Sequence, residues 1–426
     1  MGIYNILLWL GILLYSPVIL WRGLGRREYR HSLPLRLGFR QRFSGRSGVW
    51  FHAVSVGETE ALVSLVKAFH EAHPQAEIIF STTTETGQEL ARKRLGELAE
   101  IIYFPIDFSF LMRRLIESIS PRLVVLAETE FWPNFLREVS KRKIPVLLVN
   151  GRISDKSYKG YRRFKFFFEP LLAGISLLSM QSEEDKIRIT GIGAKEERVE
   201  VGNNLKFDRP FPSYGEKELK GLRESIGFPT EAPLFIGGST HPGEEEIIIK
   251  TYAGLLSAFP ELKLIIAPRK PHRAAEIEKS ARGANLTCAR RSDSSRKPVS
   301  LVILDTIGEL TRFYALSDIV FVGGSLVPHG GQNILEPAAC SKPVLFGPHM
   351  QNFRDIAGAL KNNGGIQVNN QKELERETAR LLKNPAYRKR VGKQARQVVM
   401  KNRGAVKKNL KFMEALLFNR ETGEAE

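Results

Sequence analysis

From Gly48 to the last quarter of this chain, short apolar runs alternate with longer amphipathic ones, and that alternation restricts the possible folds more than any other feature. A parallel strand buried on both faces reads as a continuous apolar run, and the helix that crosses to the next strand reads as the amphipathic stretch between them. Strands are expected at Val49 to Val54, Glu77 to Ser81, Ile101 to Phe104, Leu123 to Ala127, Val146 to Val149, Leu177 to Met180 and Val199 to Val201. A polar linker with Pro and Gly follows around Asp208 to Gly215. The pattern then restarts at Leu234 to Gly237, Lys263 to Ala267, Val302 to Leu304, Ile319 to Val322, Val344 to Phe346 and Gly365 to Val368. This predicts an α/β protein of two doubly wound, Rossmann-like domains facing a cleft. The expected divisions are residues 1–46, 47–207, the linker 208–215, 216–400, and a helical tail 401–426 that packs back on the first domain.

With 426 residues the chain exceeds one ordinary core, and 42% hydrophobic content excludes a mostly disordered protein. Its 64 Lys and Arg against 46 Asp and Glu give +18, which favours an anionic partner: nucleic acid, acidic lipid or a phosphorylated substrate. Cys288 and Cys340 have neither metal-ligand spacing nor a disulfide pattern, which suits a reducing compartment. The histidines are scattered and no HExxH occurs, so no zinc is expected.

Ile3 to Trp21 is almost wholly apolar, and about 20 such residues cross a bilayer. Arg22, Arg26, Arg27, Arg30, Arg36, Arg40, Arg42 and Arg46 follow, which by the positive-inside rule belong on the cytoplasmic side. The expectation is an uncleaved N-terminal membrane anchor, either a single span or a helix lying in the interface; a core helix is the plainer alternative.

In an open parallel sheet ligands bind beyond the carboxyl ends of the strands, so the polar residues of those loops matter most. Phe321 to Ala339, FVGGSLVPHGGQNILEPAA, reads as strand, glycine-rich loop and a helix beginning at Asn333. A helix N-terminus with unpaired amides attracts phosphate, and Glu336 in the first turn can accept from vicinal sugar hydroxyls. A glycine-rich crossover capped by Asn is the other reading. Glu58, at the start of the helix after the first strand, either serves the helix dipole or acts as a base. The loop Glu128-Thr129-Glu130 is a solvated turn or a functional pair, and Lys206 is a candidate cation for developing phosphate charge. His241 lies in a loop suited to phosphate, Ala267 to Arg273 gathers basic side chains, and Asp305 to Glu309 precedes a helix. No Walker-type or GxGxxG loop follows the first strand.

Taken in order, these loops resemble one family, the 3-deoxy-D-manno-octulosonic acid (Kdo) transferases of lipopolysaccharide synthesis, glycosyltransferases of the two-domain GT-B fold. The resemblance rests on HAVSVGE at His52 to Glu58, AETEFWPN at Ala127 to Asn134, NNLKFD at Asn203 to Asp208 and GGSTHPGEE at Gly237 to Glu245. It continues through APRKPHR at Ala267 to Arg273, DTIGEL at Asp305 to Leu310, FVGGSL and GGQNILEPA. It implies transfer of Kdo from CMP-Kdo to the lipid A precursor, with acceptor on the first domain and CMP-Kdo on the second, at the cytoplasmic face of the inner membrane. By motif, Glu58 is the implied general base and Glu128 and Lys206 the implied transition-state stabilisers. CMP is implied to lie against Pro268, Arg269, Ile307, Gly308, Glu309, Asn333, Ile334, Leu335 and Glu336. The family's PRHPER-like string reads PRKPHR here, so His272 is not assigned the earlier histidine's role. With fixed cations at the phosphate, no metal and no cofactor beyond the donor are expected. The implied partners are CMP-Kdo, the lipid precursor and an anionic membrane surface rather than nucleic acid. A sugar-nucleotide epimerase of the same fold and a basic nucleic-acid-binding or scaffolding protein are the rival readings.

Overall fold

A computed structural model describes residues 2–25, 34–36, 48–293 and 298–418. The chain forms two compact units, Met1–Arg209 with Arg403–Glu426, and Pro210–Asn402.

The first unit holds a seven-stranded sheet made of β1 (Val49–His52), β2 (Ile78–Thr82), β3 (Glu100–Tyr103), β4 (Leu123–Ala127), β5 (Val146–Gly151), β6 (Leu177–Met180) and β7 (Val199–Val201). All pairings are parallel, in the order β3-β2-β1-β4-β5-β6-β7. The buried runs behave as a two-sided sheet requires: Trp50 packs into the core on one face and its neighbour Phe51 into the core on the other. Ser55, Thr84, Ser154 and Ser182 each accept a backbone N–H at a helix start, which is why the crossover helices begin where they do. Strand order reverses between β1 and β4, whose Val49 to His52 pair with Leu123 to Leu126. At such a switch the adjoining connections leave toward opposite faces and open a crevice beyond the strand ends.

In the second unit the strands are β8 (Leu234–Thr240), β9 (Lys263–Pro268), β10 (Cys288–Arg290), β11 (Leu301–Ile303), β12 (Ile319–Val322), β13 (Val344–Phe346) and β14 (Gly365–Gln367). They are again parallel, ordered β10-β11-β9-β8-β12-β13-β14, and reverse between β8 and β12. Two expectations need correction. The three-residue edge strand β10 was not anticipated, because CAR has no apolar run to mark it. β8 extends past Gly237 to Thr240 through a register shift between Gly238 and Thr240, carrying Ser239 at φ 54°.

The C-terminal helix Ala405–Phe418 belongs to the first unit, where Ala405, Met413 and Leu417 enter the core. Asp208 fastens its start, accepting the N–H of Gly404 at 2.7 Å and of Val406 at 2.5 Å.

The N-terminal segment is a helix over Gly2–Gly25. Tyr4 donates to Asp107 at 2.9 Å, Asn5 accepts from Asn134 at 2.6 Å, and Leu8 and Ile12 rest on the first unit's core. Ile6, Leu7, Leu10, Leu13 and Leu14 are exposed. Among the described residues no helix is long and apolar enough to cross a membrane. Of the arginines that follow, Arg36 lies over the Tyr103 ring at 5.3 Å. Arg26, Arg27, Arg30, Arg40, Arg42 and Arg46 lie outside the described residues.

Because one carboxylate caps that helix, Asp208→Ala is expected to lower the first unit's stability by about 1–2 kcal/mol. Urea denaturation would read the loss, and limited proteolysis would show earlier cleavage before Ala405.

Candidate functional site

The reversal between β1 and β4 sets the two acidic loops side by side. In the first, Ser55-Val56-Gly57-Glu58 is a helix-capping box: the Ser55 hydroxyl accepts the Glu58 N–H at 3.4 Å and donates back to its carboxylate at 2.8 Å. The other Glu58 oxygen accepts the Val54 N–H at 2.7 Å. The carboxylate is therefore held rigidly and is 8% exposed, yet each oxygen retains a lone pair. Burial raises its pKa; the Val54 amide and Ser55 oppose that, and Glu128 adds to it.

The second loop leaves β4 through Glu128, which sits at φ 52°, a left-handed conformation costing a non-glycine residue about 1–2 kcal/mol. Its amide donates to Val149 at 2.9 Å, so the strain is held by the sheet. The Glu128 carboxylate faces the Lys206 ammonium at 4.0 Å. Lys206 is placed by a buried amide network: Asn204 donates to Gln181 at 2.7 Å, Gln181 to the Asn150 carbonyl at 2.9 Å, and the Leu205 N–H to the Asn150 side chain at 3.1 Å. Burial lowers the Lys206 pKa, partly offset by Glu128. Glu58, Glu128 and Lys206 thus share one sheet end and one electrostatic field, although they come from β1, β4 and the segment after β7.

Glu130, the second acid of the expected pair, also lies at this end, and the Trp132–His52 contact beside it was not anticipated from the sequence. Glu130 is pushed up to about 8, first by burial and then by the charges of Glu58 and Glu128. Trp132 donates from Nε1 to His52 Nε2 at 3.1 Å. That fixes the His52 proton on Nδ1, which donates to the Ser81 hydroxyl at 2.8 Å, and Trp50 donates to the same hydroxyl at 2.8 Å. Burial lowers His52 to about 3, so it remains a neutral bracket for the loop. ETE and HAV sit in plain view in the sequence. Which carboxylate is desolvated, and which ring holds the other, depends on neighbours far along the chain.

In the second unit the reversal joins the loops after β8 and β12. Glu244, fully buried at the start of the helix Glu244–Leu255, accepts the N–H groups of His241 at 3.0 Å, Gly324 at 2.6 Å, Ser325 at 2.9 Å and Leu326 at 2.9 Å. Gly323 fits only as glycine, since a Cβ would stand 2.5 Å from Thr240 Cα. Glu244 thus takes the amides of residues 324–326 and braces the loop that precedes the expected helix N-terminus. Gly331 and Gln332 donate to the carbonyls of Gly324 at 2.7 Å and Gly323 at 3.1 Å. The following helix starts at Leu335, not Asn333, and runs only to Ala339. Asn333 precedes it, accepting the Leu335 N–H at 3.1 Å and donating to Glu336 at 2.9 Å.

The other residues expected to hold a nucleotide divide by exposure. Ile334 and Leu335 are buried, which closes their side chains to a ligand, whereas Ile307 is 88% exposed beside Gly308 at φ 94°. Glu309 is bridged to Arg291 at 3.2 Å and Glu336 accepts from Thr311 at 3.4 Å. Pro268 ends β9 buried; Arg269 is exposed and bonded through its amide to Thr240 at 2.9 Å. His241 connects these loops: it contacts Gln332 at 3.1 Å and stacks on His329 at 4.3 Å, and its pKa is lowered chiefly by burial, with Arg269 contributing. Of the basic string, Arg273 is withdrawn into pairs with Glu276 at 2.7 Å and Glu245 at 3.5 Å. Among the described residues no group of three or more His, Cys, Asp or Glu is placed to hold a metal ion.

The family described as 3-deoxy-D-manno-octulosonic-acid transferase (kdotransferase) matches residues 31–209, and glycosyl transferases group 1 matches residues 246–398. A 3-deoxy-D-manno-octulosonic acid transferase of Haemophilus influenzae is 34% identical over 92% of this chain and 92% of its own length. One from Bordetella pertussis is 31% identical over 94% of this chain and 96% of its own. Among solved structures, a glycosyltransferase from Rickettsia africae superposes with a TM-score of 0.60 at 15% identity, over 88% of this chain and 100% of that one, which is a likeness of fold.

The Glu130 carboxyl binds a proton in the folded state at pH values where the unfolded chain has lost it. Its burial therefore costs nothing below the ordinary 4.5 and destabilises increasingly as pH rises toward about 8. Glu130→Gln is expected to leave the melting temperature unchanged near pH 4 and to raise it at pH 8.5, by roughly 2–4 °C per kcal/mol relieved. Calorimetry at both pH values reads the difference.

Proposed function

Because the chain belongs to the 3-deoxy-D-manno-octulosonic acid transferase family of glycosyltransferases, we propose that it transfers Kdo from CMP-Kdo to the lipid A precursor lipid IVA, releasing CMP, in lipopolysaccharide core biosynthesis. The observation that carries this reading is Glu58: a rigidly held, poorly hydrated carboxylate beside Glu128 and Lys206.

The reaction is read as a direct displacement. An acceptor hydroxyl attacks the anomeric carbon of Kdo, Glu58 accepts the hydroxyl proton, and the bond to the CMP phosphate oxygen breaks. Desolvation suits Glu58 to the task, since a base with a raised pKa takes the proton more readily. Lys206 and Glu128 stabilise charge that develops in the transition state. The exposed Arg269 is suited to the phosphate of CMP and the Asn333–Glu336 pair to its ribose hydroxyls. Ile307, Gly308 and Glu309 offer an apolar side chain and flexible backbone to the base. With fixed cations on the phosphate, the reading requires no divalent metal and no cofactor besides the donor.

The acceptor is a lipid, and the proposed location is the cytoplasmic face of the inner membrane. The exposed apolar side chains of the Gly2–Gly25 helix and the chain's +18 charge support attachment to an anionic surface through that helix.

Glu58→Gln is expected to retain CMP binding while transfer falls about 10²–10⁴-fold. Mass spectrometry of products from CMP-Kdo and lipid IVA measures this, and unimpaired turnover refutes the base. Glu336→Ala is expected to raise the donor KM about ten-fold or more through loss of a charged hydrogen bond, with a smaller change in kcat; an unchanged donor KM removes the ribose role.

A further inference from the structure

We propose that the turn joining the helices Asp155–Arg163 and Lys165–Leu172 is a second lipid-surface contact, separate from the N-terminal helix, seating Phe164 and Phe166 among the headgroups of an anionic bilayer. It rests on the membrane location proposed above and adds a site to it.

Single exposed apolar residues are ordinary on protein surfaces, but this turn presents two large rings together. Phe164 is 52% and Phe166 75% exposed, with ring centroids 6.3 Å apart. The same two helices and their turn carry Lys156, Lys159, Arg162, Arg163 and Lys165, all exposed. Of the two acids in these helices, Asp155 is engaged by Arg188 and Glu169 lies beyond the rings. A protein-binding patch is depleted of lysine at its centre, whereas aromatic rings interleaved with Lys and Arg suit the headgroup layer, where the ring enters and the cation meets lipid phosphate. The occupant chosen by this chemistry is therefore lipid.

The patch also continues into the surface already assigned to the membrane. Phe167, between the helices' exposed and packed sides, stands 6.5 Å from Tyr4 of the Gly2–Gly25 helix. On that helix Trp9 meets Phe108 at a tilt with ring centroids 4.4 Å apart, and Phe108 stacks on the 61% exposed Phe110 at 5.7 Å. On their inner side the same two helices carry Tyr161 and Phe168, which meet Phe131 of the acidic loop at 6.2 and 6.3 Å. The turn that meets lipid is thus one packing layer away from Glu130, so a lipid acceptor bound there is delivered next to the acidic cluster.

The test uses the full chain carrying Cys288→Ser, Cys340→Ser and Phe166→Cys, labelled at position 166 with the fluorophore NBD. With vesicles of phosphatidylglycerol and phosphatidylcholine its emission is expected to shift to the blue and to be quenched by bromine-bearing lipid, and to change little with phosphatidylcholine alone. Unshifted emission while the protein co-sediments with the anionic vesicles overturns the proposal, because the N-terminal helix then suffices. Independently, Phe164→Ser/Phe166→Ser, at exposed positions that leave folding intact, is expected to reduce transfer to vesicle-embedded acceptor about ten-fold while sparing transfer to detergent-dispersed acceptor. Equal losses in both formats, or conversion of an oligomer to a monomer on gel filtration, overturn it in favour of a role in the fold or a contact between copies. Failure of the unsubstituted chain to transfer Kdo in detergent refutes the proposed function instead, while the NBD shift still decides the lipid contact.

Discussion

Three carboxyl groups share one poorly hydrated sheet end, and the chemistry of the first unit follows from how the fold accommodates them. Glu128 is paired with the Lys206 ammonium, Glu58 is steadied by an amide and a hydroxyl, and Glu130 takes most of the repulsion and holds its proton. The result is a set of unlike groups built from like residues: an ion-paired carboxylate, a rigid base and a neutral acid. Environment makes that distinction, through burial and neighbours, rather than residue type.

Keeping such groups in place takes a scaffold that bears the cost elsewhere. Glu128 occupies a left-handed conformation at a strand end, and Asn150 and Asn203 do the same at φ 57° and 64°. The Asn150–Gln181–Asn204 chain and the Trp132–His52–Ser81–Trp50 chain are buried hydrogen-bond networks that brace the loops from behind. In the second unit one buried carboxylate, Glu244, performs the same service for the glycine loop. Both units thus place polar backbone at a strand-order reversal and satisfy it from within, leaving selected side chains for a ligand.

The same logic explains which expectations from sequence needed revision. The Asn333 region suggests a helix N-terminus open to phosphate, but the helix begins only at Leu335 and the Asn333 side chain takes its first amide. A basic string suggests a cluster of cations, but Glu245 and Glu276 claim Arg273. Competition for hydrogen bonds and charge is settled among neighbours in space, which a linear pattern does not encode.

Most of the architecture could be read in the residues themselves. Continuous apolar runs such as LVVLA at Leu123–Ala127 and IVFV at Ile319–Val322 must be buried on both faces, so they determine parallel strands and the crossover helices between them. Ser and Asn caps determine where several helices start, and the order of motifs determines the family. Tertiary structure alone decided the order of strands, and through it that Glu58 and Glu128, some seventy residues apart, share a field with Lys206. It also decided that Glu130 keeps its proton and that Phe164 and Phe166 face outward. Those properties arise from dehydration and proximity, which exist only once the chain has folded.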